Sequence, residues 1–138
     1  MKNGPIILID DDEDECELLQ NALKKLSYTN KLLCFISGAE AIEFLQLTSE
    51  QPFLILCDIN LPQMNGMEIR KRIDDDPFLK RKSIPFVFYT TSATKTSVDE
   101  AYEMSVQGFF EKGSSIEEIS RLVKCIYDYW QYCKHPNS

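Results

Sequence analysis

Three aspartates, Asp10, Asp11 and Asp12, follow the apolar run Ile6 to Ile9 without a break, and Asp58 ends a second apolar run, Phe53 to Cys57. Two further polar groups hold equivalent places: Thr90, Thr91 and Ser92 after Phe86 to Tyr89, and Lys112 at the end of "GFFEK". Crowded carboxylates repel one another, and taking them out of water is costly unless something of opposite charge pairs with them. If these residues share one crevice, three carboxylates make a hard anionic oxygen site that suits Mg²⁺, which keeps several waters and binds through one or two carboxylates plus phosphate oxygens. An ammonium and a hydroxyl aimed at the same place complete a set suited to phosphoryl transfer, which needs chiefly positioning and charge neutralisation. Asp58 is the best acceptor because it stands alone, whereas Asp10 and Asp11 are placed to hold metal.

The elements that must position these residues follow from the hydrophobic pattern. Ile6 to Ile9, Lys31 to Ile36, Phe53 to Cys57, Phe86 to Tyr89 and "GFFEK" are short apolar runs of the kind that form buried strands. Between them lie helical patterns: Cys16, Leu19, Leu23 and Leu26 share one face, and Ala41, Ile42 and Leu45 another. Ser37 is placed to cap the second helix, Thr96 or Ser97 the fourth, and Ser114 or Ser115 the last, whose first turn carries Glu117 and Glu118. Five strands alternating with five helices predict a doubly wound α/β domain whose parallel sheet is covered on both faces. Ligands in such folds sit beyond the carboxyl ends of the strands, where the singled-out residues fall.

These residues carry a family resemblance. The acids of "IDDD", the segments "CDINLPQMNG" and "YTTSA", and "GFFEK", in this order over about residues 5–125, resemble the receiver domain of bacterial two-component response regulators. The resemblance implies a flavodoxin-like (βα)5 sheet of order 2-1-3-4-5, with Asp58 accepting a phosphoryl group from a sensor histidine kinase, a phosphotransfer protein or a small phosphodonor. It implies Mg²⁺ or Mn²⁺ held by Asp10, Asp11, Asp58 and the backbone carbonyl of Asn60, with Thr90 as switch hydroxyl, Lys112 as its cationic partner and Phe109 as the aromatic that turns inward. Asn60 and Ser92 fall at positions that tune phosphoryl lifetime in that family. Its members signal by contact with a downstream protein, here expected at the fourth helix, fifth strand and final helix, and their only catalysis is self-directed phosphotransfer and autodephosphorylation. Gly113 replaces the usual proline after the lysine, which bears on the loop's rigidity. The extra residues of "DDDPFLKRKSIP" and the double threonine are similar to stand-alone receivers associated with bacterial phytochromes.

Plainer roles compete for several residues. Glu13, Asp14 and Glu15 are expected to be first-turn acids that complement a helix dipole, and Asp12 a cap. Thr91 is the alternative switch residue. Cys57 is expected to be a buried core thiol and His135 a solvated tail residue. Tyr127, Tyr129, Trp130 and Tyr132 either divide between packing and solvent or form a homodimer or partner surface. A phosphatase built on Asp58 would want a second carboxylate two residues later, where Asn60 stands, and a pseudo-receiver would not keep all five polar site residues.

The 138 residues, 43% hydrophobic and 27% charged, are expected to form one domain, 1–138, with its core over 5–125 and a helical extension over 126–138. A net charge of −7 argues against nucleic acid, which needs a basic stripe. The four apolar residues before the acids are too few for a membrane span or signal core. Five widely spaced cysteines without a C-x-x-C pair suggest reduced thiols and a cytoplasmic location.

Overall fold

A computed structural model describes residues 2–91 and 93–134. Five parallel strands, β1 (Ile6–Ile9), β2 (Leu32–Phe35), β3 (Leu54–Cys57), β4 (Phe86–Thr90) and β5 (Gly108–Glu111), lie in the order β2-β1-β3-β4-β5. The helices are α1 (Glu13–Lys25), α2 (Gly38–Leu47), α3 (Gly66–Asp75), α4 (Pro77–Lys82), α5 (Lys95–Glu103) and α6 (Ile116–Tyr132). The expected strand order and doubly wound architecture are therefore present.

Strand alternation divides the core in two. Ile7, Ile9, Ile55, Cys57, Phe86 and Phe88 point to one face, beneath α2, α3 and α5. Ile6, Leu8, Leu54, Leu56, Val87 and Tyr89 point to the other, beneath α1 and α6. Each fully buried aliphatic or aromatic side chain contributes about 1.5–3 kcal/mol, so the three central strands are held from both sides. The polar residues begin where this burial stops.

Local sequence explains most helix starts. Asp12 caps α1 by accepting from Asp14 N, Ser37 caps α2, and Ser115 caps α6. Asn65 and Glu68 form a reciprocal capping box on α3. The cap of α5 is Thr94, not Thr96 or Ser97, because Ser97 Oγ reaches back to Thr94 and the pair closes the first turn. The sixth helix, α4, is an addition to the predicted five: Asp76 ends α3, accepts from Phe78 N and Leu79 N, and lets Pro77 open a new turn.

The final helix is anchored by its aromatic residues. Tyr127 stacks on Tyr28 with ring centroids 3.6 Å apart, and its hydroxyl donates to Asn30 Oδ1 at 2.6 Å. Asn30 Nδ2 in turn donates to the carbonyls of Lys2 and Gly4. Trp130 packs against the same core layer, while Tyr129 and Tyr132 are exposed. The aromatic residues thus divide between packing and solvent.

Cys16 and Cys34 are joined by a disulfide, which corrects the expectation of reduced thiols for these two. Cys34 pairs with Leu8 in the sheet, and the first turn of α1 brings Cys16 to it, a closeness invisible at a sequence separation of 18. Cys57, Cys125 and Cys133 are free. Reducing this bond is expected to lower stability by about 3 kcal/mol, the loop-closure contribution for a ring of this size. Urea unfolding with and without reductant checks it; an unchanged midpoint would contradict it.

Candidate functional site

Parallel register carries the acids to one another. Ile9 lies opposite both Phe35 and Cys57, Asp10 N donates to Phe35 O, and Asp58 N donates to Ile9 O at 2.9 Å. The next residues of β1 and β3 are therefore neighbours at the sheet's carboxyl edge. Asp10, Asp11 and Asp58 each offer an oxygen within 4.8 Å of the others, with Asp10 and Asp58 buried and Asp11 exposed. Gly66 lets the following loop close in, since a Cβ there would lie 2.5 Å from the Asp58 carbonyl oxygen.

The cation comes from the other side. Thr90 pairs with Glu111, Lys112 N donates to Thr90 O at 2.8 Å, and the Lys112 side chain turns back across the sheet edge. Its Nζ donates to Asp10 Oδ2 at 2.6 Å and Asp58 Oδ2 at 3.3 Å, and lies 3.6 Å from Glu15 Oε1. The structure thus brings together Asp10, Asp11, Asp58 and Lys112. Glu15 joins them, against the expectation that it is only a first-turn acid; the phase of α1 over the sheet decides this, and no local pattern encodes it. Asp12, Glu13 and Asp14 remain exposed at the helix start as expected.

Thr90 is fully buried, and its Oγ1 finds no hydrogen-bond partner among the described residues. A buried hydroxyl without a partner costs free energy, and its retention calls for a functional reason. Asn60 is exposed and its N donates to Asp58 Oδ1. Phe109 is half-buried, its ring 6.0 Å from that of Phe88. Ser92 and His135 lie outside the described residues. Gly113 packs so closely on the first turn of α6 that a Cβ would meet Glu118 Cβ at 2.7 Å. Ser114 N and Oγ both donate to Glu118 Oε2. Hydrogen bonds hold this loop where the family ordinarily places a proline.

The electrostatics follow from burial and pairing. Burial pushes the Asp10 carboxyl above its ordinary value, against the pull of the Lys112 hydrogen bond. Burial also raises Glu15. For Lys112 burial acts downward, but the Asp10 hydrogen bond and the charges of Asp10, Asp58 and Glu15 outweigh it and raise its pKa. Burial, with Asp58 and Asp10 nearby, holds the Cys57 thiol well above its usual range, which leaves it an inert core thiol. The donor set fits a divalent cation: three carboxylate oxygens converge, and one lysine leaves their charge only partly neutralised.

Comparison with known proteins finds matches over nearly the whole chain. The family model for the response regulator receiver domain matches residues 6–124. The response regulator Rcp1 of Synechocystis sp. is 33% identical over 130 residues, spanning 91% of this chain and 87% of Rcp1. The crystal structure of the phosphorylated cyanobacterial phytochrome response regulator RcpA superposes with a TM-score of 0.85 at 29% identity, covering 97% of this chain and 98% of RcpA. The Mn²⁺-bound form of Rcp1 superposes with a TM-score of 0.81 at 32% identity, covering 95% and 97%. Among the described residues no helix is long and apolar enough to cross a membrane. The chain belongs to the response regulator receiver domain family, the phosphoacceptor signalling domains of two-component systems.

Proposed function

We propose that this receiver takes a phosphoryl group onto Asp58 from the phosphohistidine of a sensor kinase, a phosphotransfer protein or a small phosphodonor, in an Mg²⁺-dependent reaction. The observation that carries this is the convergence of Asp10, Asp11 and Asp58 oxygens within 4.8 Å beneath the Lys112 ammonium. A carboxylate oxygen of Asp58 attacks phosphorus as the bond to the donor nitrogen or oxygen breaks, and the donor leaves with that electron pair. Asp10, Asp11, Asp58 and the Asn60 carbonyl would hold the metal, which neutralises the carboxylates and the phosphoryl oxygens. Mn²⁺, bound by the relative Rcp1, fits the same oxygen set.

Lys112 then pairs with a phosphoryl oxygen, and the unpartnered Thr90 hydroxyl supplies a further donor to it. Thr90, and not the exposed Thr91, is the switch residue in this reading, and Phe109 fills the space that a shift of Thr90 opens. The result is relayed to α5, β5 and the start of α6, which serve as the surface for a downstream protein. Asn60 and Ser92, at the positions that tune phosphoryl lifetime in the family, set how fast water removes the phosphoryl group. With a net charge of −7, protein partners are favoured over nucleic acid.

Incubating the protein with acetyl phosphate and Mg²⁺ and following intact mass is the direct test. A phosphorylated species that forms with Mg²⁺ and not with excess EDTA is expected. Equal formation in EDTA, or none with Mg²⁺ and either acetyl phosphate or phosphoramidate, would overturn the proposal.

A further inference from the structure

Lys112 has three anionic neighbours, and they are not equivalent. It donates to Asp10 and Asp58, whereas Glu15 Oε1, at 3.6 Å, attracts it from just beyond hydrogen-bond distance. Asp10 and Asp58 belong to the oxygen cluster that could hold a cation, and Glu15, on α1, stands outside it. The outer pair is shielded, with side-chain exposures of 5% for Lys112 and 17% for Glu15. Tyr89 walls the same side: its ring centroid is 5.9 Å from Lys112 Nζ, and its buried hydroxyl has no partner among the described residues.

We propose that Glu15 is a positioning residue for Lys112, a reserve seat that keeps the ammonium paired when Asp10 and Asp58 turn to a divalent cation. This rests on the metal reading above. An ammonium and a divalent ion repel each other when both lean on the same two carboxylates. Lys112 must give way, and an unpaired ammonium at a shielded site is costly. Glu15 is already in place, so a small movement of the side chain exchanges one set of partners for another, and the Tyr89 ring adds a favourable face. Glu15 therefore raises divalent affinity through Lys112 and not by touching the ion.

The test is Mn²⁺ binding by the full chain, followed by electron paramagnetic resonance of the free ion, with Mg²⁺ as competitor. Glu15→Gln keeps shape and removes charge, and is expected to weaken affinity by about threefold to tenfold, the range of coupling between neighbouring groups. Glu17→Gln removes the same charge from an exposed position of α1 and is expected to change affinity less than about twofold. In a Lys112→Met background the effect of Glu15→Gln should vanish. Unchanged affinity in Glu15→Gln would overturn the inference. The same loss with and without Lys112 would also overturn it, since Glu15 would then act directly on the ion. Failure of the wild type to bind Mn²⁺ would remove the metal reading itself, and this inference with it.

Discussion

Asp58→Ala is expected to abolish phosphoryl incorporation from acetyl phosphate while leaving the fold intact. The effect should be complete because no other carboxylate shares its placement. Asp10 holds Lys112 more tightly, at 2.6 Å against 3.3 Å for Asp58, and Asp11 is exposed. Asp58 is buried at the end of β3, with its backbone fixed by Ile9 and its carboxylate held by Lys112 and Asn60 N. Removing it also relieves like-charge repulsion with Asp10, so folding stability should hold or rise slightly. Intact mass after donor treatment, with circular dichroism for the fold, reads both effects. Substantial labelling of Asp58→Ala would move the acceptor elsewhere.

Lys112→Met is expected to lower stability without metal by about 3 kcal/mol, the scale for leaving one partner of a buried ion pair uncompensated. Methionine replaces the stem volume, so the loss is electrostatic. The pH dependence has a definite sign. Burial raises the folded-state pKa of Asp10 above its ordinary 3.8, so the folded protein binds more protons, and stability falls as pH rises from about 4 through that raised value. Without Lys112 to oppose burial, that fall should be larger and reach higher pH. The raised pKa of Lys112 acts in the same direction but at higher pH: its contribution is fully present below the ordinary 10.5 and is lost as pH rises above it. Millimolar Mg²⁺ should return most of the stability lost by Lys112→Met at neutral pH, because a divalent ion can take over the role of the ammonium. Urea midpoints at pH 5 and pH 8, with Mg²⁺ or EDTA, check these statements. Equal midpoints for wild type and variant at pH 8 in EDTA would contradict them.

Much of this architecture was legible because each strand is a continuous apolar run that ends abruptly in a polar residue. Parallel pairing then brings those ends to one edge, so Asp10, Asp58, Thr90 and Lys112 could be singled out before any distance was known. Three features were not legible, each for a physical reason. Glu15 looks like any acid in a first helical turn, and only the rotation of α1 over the sheet aims it at Lys112. The Cys16–Cys34 bond joins an edge strand to a helix through tertiary packing, with no local spacing to announce it. The helix α4 depends on Asp76 capping a new turn at Pro77, and the Thr94 cap competes closely with the neighbouring alternatives Thr96 and Ser97. The loop at Gly113 adds a fourth instance, since Ser114 and Glu118 replace by hydrogen bonding what a proline ring would impose.

The central claim, that Asp58 carries the phosphoryl group in the presence of a divalent cation, is tested most directly by reductive trapping. Borohydride converts an aspartyl phosphate to homoserine, and peptide mass spectrometry then reads the modified position. Homoserine at position 58, formed with acetyl phosphate and Mg²⁺ and absent in EDTA, is the predicted result. Homoserine at position 10 or 11, or a phosphorylated protein that yields no homoserine at all, would contradict it.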